Sequence, residues 1–114
     1  MSEVSESLAA DTLLTADRWL TEGRELAIAT VIDAWDQAPL PIGSQLLVDG
    51  AGQAEGSVSQ GLVDDAVIAE AQKTIADQEP RLLSFTISDE MAVDAGCASG
   101  GLLRLYVEPI EPNR

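Results

Sequence analysis

Leu26-Ala27-Ile28-Ala29-Thr30-Val31-Ile32 is a strand-length run without a charged residue. Such a run reads as a central strand buried on both faces, so the rest of the chain must supply neighbours and cover. With 114 residues the chain is long enough for one domain and one modest core. Only Trp19, Trp35, Phe85 and Tyr106 are aromatic, so that core must be mostly aliphatic.

The flanking segments supply the neighbours. Residues 1 to about 10 read as a polar, frayed start. Asp11 is placed to cap a helix over 12–22, with Leu13, Ala16 and Leu20 on one face and Trp19 beside them. Gly23 stands just past its end. The segment 33–41 is a loop stiffened by Pro39 and Pro41. A second strand is expected over 44–48, with Asp49-Gly50 as a turn signal and 54–58 returning as its partner. Ser59 is placed to cap a helix over 61–77, whose apolar face is Val67, Ile68, Ala71 and Ile75. Asp64 and Asp65 fall in its first turn, where the helix dipole favours negative charge. Pro80 closes that connection. Leu83, Phe85 and Ile87 alternate within a strand over 81–87. A short acidic connection with one helical turn follows over 88–95. The last strand is expected over 102–107, ended by Pro109 and Pro112. The fold class is α/β or α+β: a single two-layer domain of about five mostly antiparallel or mixed strands and two main helices.

Charge and composition exclude several functions. Twenty acidic residues against six basic ones give a net charge of -14. That field repels nucleic acid and anionic membranes and opposes phosphate-rich ligands. It serves either solubility or docking to a basic partner. Histidine is absent, which removes the commonest general base and any Ser-His-Asp or Cys-His catalytic arrangement. The single cysteine, Cys97, excludes an internal disulfide and leaves a poor ligand set for zinc. No metal site is expected, and an enzyme is the weakest of the function classes. With neither a secretory signal nor a membrane-spanning apolar run, the expected location is the cytoplasm.

Two small-residue turns hold the remaining interest. Gly56-Ser57-Val58-Ser59-Gln60-Gly61 leads from a strand into a helix N-terminus, where exposed amides suit an anion. It also reads as a plain capped turn, and no Lys or Arg lies between Gly43 and Gln72. Gly96-Cys97-Ala98-Ser99-Gly100-Gly101 precedes a strand. Its paired glycines permit positive φ and close backbone approach, or simply make a tight turn or bulge. Cys97 reads as a reactive thiol or as a small buried apolar residue. Pro39-Leu40-Pro41-Ile42-Gly43 forms a third corner, with Trp35 ahead of it as a core, lid or stacking residue.

Taken together, these segments resemble the N-terminal domain of the XdhC/CoxI family. The matching stretches are Ala29-Thr30-Val31-Ile32-Asp33-Ala34-Trp35, Ala38-Pro39-Leu40-Pro41-Ile42-Gly43-Ser44-Gln45, Gly56-Ser57-Val58-Ser59-Gln60-Gly61, and Gly100-Gly101 with the strand ending Val107-Glu108-Pro109. The resemblance runs from about Leu26 to Pro109. It implies an accessory protein in molybdenum cofactor handling and in maturation of a xanthine dehydrogenase or carbon monoxide dehydrogenase type enzyme. The alternative is a diverged protein-interaction module without its own ligand. The resemblance also implies that molybdopterin cofactor would be held by Pro39, Gly43, Ser57, Ser59, Gly61, Cys97, Ser99, Gly100 and Gly101. The implied partners are a molybdenum hydroxylase or a separate Rossmann-domain maturation protein, and a homo-oligomer is plausible. Family members usually carry a Rossmann-like domain after this one, and its absence is expected here. The chain departs from the family pattern in having Leu40 for an arginine between the prolines. It has Gln60 and Leu62 where the turn usually reads Ser-Gly-Gly-Cys, and Ser99 where a cysteine precedes Gly-Gly.

Overall fold

The computed structural model describes residues 3–110, with side chains from residue 12. The elements in order are α1 (Glu3–Thr21), β1 (Leu26–Asp33), β2 (Gln45–Asp49), β3 (Ala54–Gly56), α2 (Asp64–Asp77), β4 (Arg81–Ile87), α3 (Asp89–Asp94) and β5 (Gly101–Ile110). The strands form one sheet in the order β3-β2-β1-β5-β4, every pair antiparallel. The apolar run Leu26–Ile32 therefore takes the central place expected of it. Five antiparallel strands and two main helices agree with the α/β class read from the sequence, but the helices take opposite faces of the sheet, giving three layers where two were expected.

Alternation divides the helices between the faces of the sheet. Ala27, Ala29 and Val31 of β1 share a core with Leu46 and Val48, with Leu103, Leu105 and Val107, and with Val67, Ala71 and Ile75 of α2. The opposite faces of the same strands present Leu26 and Leu47 to Ala16 and Trp19 of α1. Arg24 lies 4.7 Å from the centre of the Trp19 ring and pairs with Asp49 at 3.1 Å, fixing the end of α1 to the β2–β3 turn. Asp49 itself accepts from the amides of Ala51 and Gln53, which makes the expected turn.

Several boundaries differ from expectation. Helix α1 begins at Glu3, so position 11 falls within the helix and not at its start. Its buried face is Thr12, Ala16 and Trp19, at spacings of four and three, and Leu13 is 66% exposed. Helix α2 starts at Asp64 with Val63 as its N-cap residue and no side-chain cap, so Ser59 does not cap it. Strand β5 runs through Pro109 to Ile110. The proline is tolerated because β4 reaches only as far as Val107, leaving one side of β5 without a strand neighbour at Pro109. Pro112 lies outside the described residues.

Candidate functional site

Antiparallel order brings the three small-residue corners together. The end of β1, the start of β2, the end of β3, the end of β4 and the start of β5 all lie at one end of the sheet. The proline corner is tied there by the Gly43 amide donating to Val31 O at 2.8 Å and the Ser44 amide to Pro41 O at 3.1 Å. Residue Ile32 bulges out of the β1–β5 ladder beside it.

The first turn closes on Asp64. Gly56 leaves β3 with φ 94, and a Cβ there would stand 2.4 Å from Gln45 O, so only glycine fits. Beyond it five donors converge on the Asp64 carboxylate. They are the amides of Val58 (3.3 Å), Ser59 (3.1 Å) and Gly61 (3.1 Å), and the hydroxyls of Ser57 (2.5 Å) and Ser59 (2.8 Å). Ser59 is buried and its Oγ also accepts from the Val63 amide at 2.9 Å. The turn thus has the donor geometry of an anion seat, and a carboxylate from this chain sits in it.

The second turn is held from two sides. Trp35 Nε1 donates to Ser99 O at 2.7 Å, and the Gly100 amide donates to Asp89 Oδ1 at 2.9 Å. A Cβ on Gly100 would stand 2.0 Å from Ile87 O, and one on Gly101 2.3 Å from the Trp35 Cβ. Close approach is therefore what these glycines provide. Positive φ in this turn occurs at Gly96 and not at Gly100 or Gly101. Cys97 is half-buried against the main core, with its amide donating to Ala92 O at 2.8 Å.

A shallow cleft of about 340 Å³ lies between the first turn and α3, lined by Gln60, Gly61, Leu62, Met91, Asp94 and Ala95. Of the nine residues expected to hold a cofactor, Gly61 alone lines it. Pro39 and Gly43 belong to the corner on β1, Ser57 and Ser59 serve Asp64, Ser99 and Gly100 bond Trp35 and Asp89, and Gly101 lies against the Trp35 side chain. The sequence reading assigned Asp64 to the helix dipole and missed its role in the turn. The pattern Ser57-x-Ser59-x-Gly61 with an acid three residues on was the available signal.

These groups do not suit an anionic pterin cofactor. The turn's donors are committed to Asp64, and Asp94 is the charged residue of the cleft. No Lys or Arg occurs from Glu25 to Gln72 or from Leu82 to Leu103, the stretches that build this end of the sheet. Among the described residues no buried side-chain nitrogen or oxygen lacks a hydrogen-bond partner. Among them, too, no three acidic or cysteine side chains gather as a metal site would require, and no helix is long and apolar enough to cross a membrane.

Comparison with known proteins gives the relationship. The chain is similar in fold to the crystal structure of a xanthine dehydrogenase from Bacillus halodurans, with a TM-score of 0.65 and 21% identity. The match covers 82% of this chain and 30% of that one. No curated protein gives a significant match. The family model described as "XdhC and CoxI family" matches residues 19–86, from Trp19 through the central strands, the proline corner and the first turn to Thr86. The chain belongs to the XdhC and CoxI family.

Proposed function

We propose that this chain is an accessory protein in the maturation of a molybdenum hydroxylase of the xanthine dehydrogenase or carbon monoxide dehydrogenase type, and that it acts through protein contact. Family membership supports the maturation role. The Asp64 carboxylate inside the first turn carries the second half of the reading, because it takes the donors that a phosphate-bearing cofactor would need. The net charge of -14 favours a partner with a basic surface. Molybdopterin cofactor handling then falls to the partner, or to a composite site that the partner completes.

Mixing the purified chain with a molybdenum hydroxylase from the same organism tests this. A complex is expected at about 0.05 M salt and should be lost near 1 M, where the screening length is about 3 Å. Titration of the isolated chain with molybdopterin cofactor should show no binding. Tight cofactor binding by the isolated chain, or no complex at low salt, sinks the reading.

A further inference from the structure

The two faces of the sheet are covered unequally. Helix α2 spans β2, β1 and β5 on one side, whereas α1 packs on β1, β2 and β3 on the other. Among the described residues, the β5–β4 half of that second face meets α1 at Ile110 and is otherwise left largely open. Leu82 is 56% exposed there, Leu102 45% and Tyr106 38%, and the bulged Ile32 beside them is 43% exposed. Leu82 of β4 stands directly opposite Tyr106 of β5, so these two apolar groups adjoin across the strands, with Leu102 further along the same face of β5. Exposed apolar groups gathered in this way mark an interaction surface, whereas singly scattered ones do not.

The face ends at an unguarded edge. β4 is the last strand of the sheet, so its outer backbone groups meet no further strand. From Leu82 to Ile87 it contains neither a charge nor a proline, the devices that usually discourage pairing. An open strand edge beside an aliphatic patch suits a protein, which can bring both a strand and apolar side chains.

Charge selects the kind of protein. On this face β5 presents Leu102, Arg104, Tyr106 and Glu108 in turn, with Asp33 of β1 opposite Arg104, so one base and two acids stand among the apolar groups. Arg24, Lys73 and Arg81 are engaged by acids of this chain. A second copy would bring another net charge of -14 to the same place and few free cations. A partner carrying lysine or arginine around an aliphatic centre meets no such repulsion.

We propose that the open face formed by Leu82, Leu102, Tyr106 and Ile32, with the β4 edge, is the docking surface for the partner protein, which presents an aliphatic patch rimmed by lysine and arginine. This rests on the protein-contact reading above and names the surface it uses.

Binding of the full chain to the hydroxylase, measured by titration calorimetry, tests it with three variants checked for native circular dichroism. Leu82→Glu and Tyr106→Glu alter exposed groups on this face and should each weaken binding by about tenfold or more, the scale of a lost apolar anchor. Val93→Glu, on an exposed apolar group of α3 beside the cleft, should leave affinity unchanged. Unaltered binding by both Leu82→Glu and Tyr106→Glu overturns the surface and leaves the protein-contact reading standing. No binding by the unmodified chain overturns that reading and this one with it. Sedimentation equilibrium of the chain alone should show a monomer, and a dimer that Leu82→Glu dissociates would assign the face to a second copy, against the proposal.

Discussion

Asp64 accepts from five donors, two of them hydroxyls and three of them amides. A carboxylate offers two acceptor oxygens and no donor, which is why it can close such a ring. Asparagine at this position keeps the shape but replaces one oxygen with a donor pointing at other donors. Asp64→Asn should therefore lower unfolding stability by about 2–3 kcal/mol, read as a shift of the urea midpoint. A loss below about 0.5 kcal/mol would mean that the ring is not formed in solution. The second turn depends on an absent atom. Gly100→Ala places a methyl 2.0 Å from Ile87 O and 2.7 Å from Ser88 O, both backbone atoms that cannot swing aside. The expected cost is about 3 kcal/mol, with the start of β5 displaced and the Trp35 emission changed as its bond to Ser99 is disturbed. Sequence alone marked the first turn as one offering amides to an anion and the second as one open to close backbone approach, because their small residues leave the backbone accessible. It did not show what approaches. Asp64 lies three residues beyond the turn, and Trp35 lies 64 residues before Ser99. Only the assembled sheet brings such partners together.

The strands were easier to read than the helices, for a reason visible in their residues. The run Leu26–Ile32 and the alternation of Leu83, Phe85 and Ile87 both fall inside observed strands, and burial follows them except at the bulged Ile32. In α1 the apolar spacing admits two faces, one through Leu13 and one through Thr12, Ala16 and Trp19. The sheet chooses the second, since Trp19 must cover Leu26 and Leu47. That contact forms a core separate from the one under α2, so α1 depends heavily on it. Trp19→Ala should destabilise the protein by about 3–5 kcal/mol and reduce helical circular dichroism as α1 detaches. A smaller loss with helicity intact would show that other contacts hold α1. On the far edge of the sheet, Arg81 ties the start of β4 to α2 through Asp77 at 2.7 Å and Glu70 at 3.5 Å. The hydrogen bond from Arg81 holds the Asp77 carboxyl below its ordinary value of 3.8. The folded state therefore binds its proton less readily than the unfolded chain does. The resulting stabilisation is present above about pH 4 and disappears as pH falls through the lowered value. Asp77→Asn should accordingly be less stable than the unmodified chain at neutral pH, with the difference closing in acid. The gap is small because the pair is exposed. A gap that widens on acidification would contradict the assignment.

Over the whole molecule, the count of charges decides how the fold responds to salt. Two effects oppose each other. Salt weakens the ion pairs of Arg24, Lys73 and Arg81, each worth about 0.2–1 kcal/mol where exposed. Salt also screens the mutual repulsion of 20 acidic residues that only six bases offset. The pairs involve three bases, and one of them, Arg24 with Asp49, is sheltered because the Asp49 side chain is only 6% exposed. What remains to be lost is then on the order of 1–2 kcal/mol at most. The repulsion acts among all the remaining carboxylates, which are crowded in the folded state and spread apart in the unfolded one. Relief of that repulsion should outweigh the loss of the pairs. Thermal midpoints should rise steadily as sodium chloride increases from about 0.01 M to 0.5 M, most steeply below about 0.1 M, where the screening length passes through about 10 Å. Potassium chloride should reproduce the rise at equal ionic strength, since neither salt acts chiefly through exclusion from the surface. A midpoint that falls over this range would mean that the few ion pairs outweigh the net charge. Complex formation with a basic partner has the opposite salt dependence, because there the same excess of carboxylates supplies the attraction. Stability rising while partner affinity falls over one salt series would therefore separate the cost of this charge in the free chain from its use in the complex.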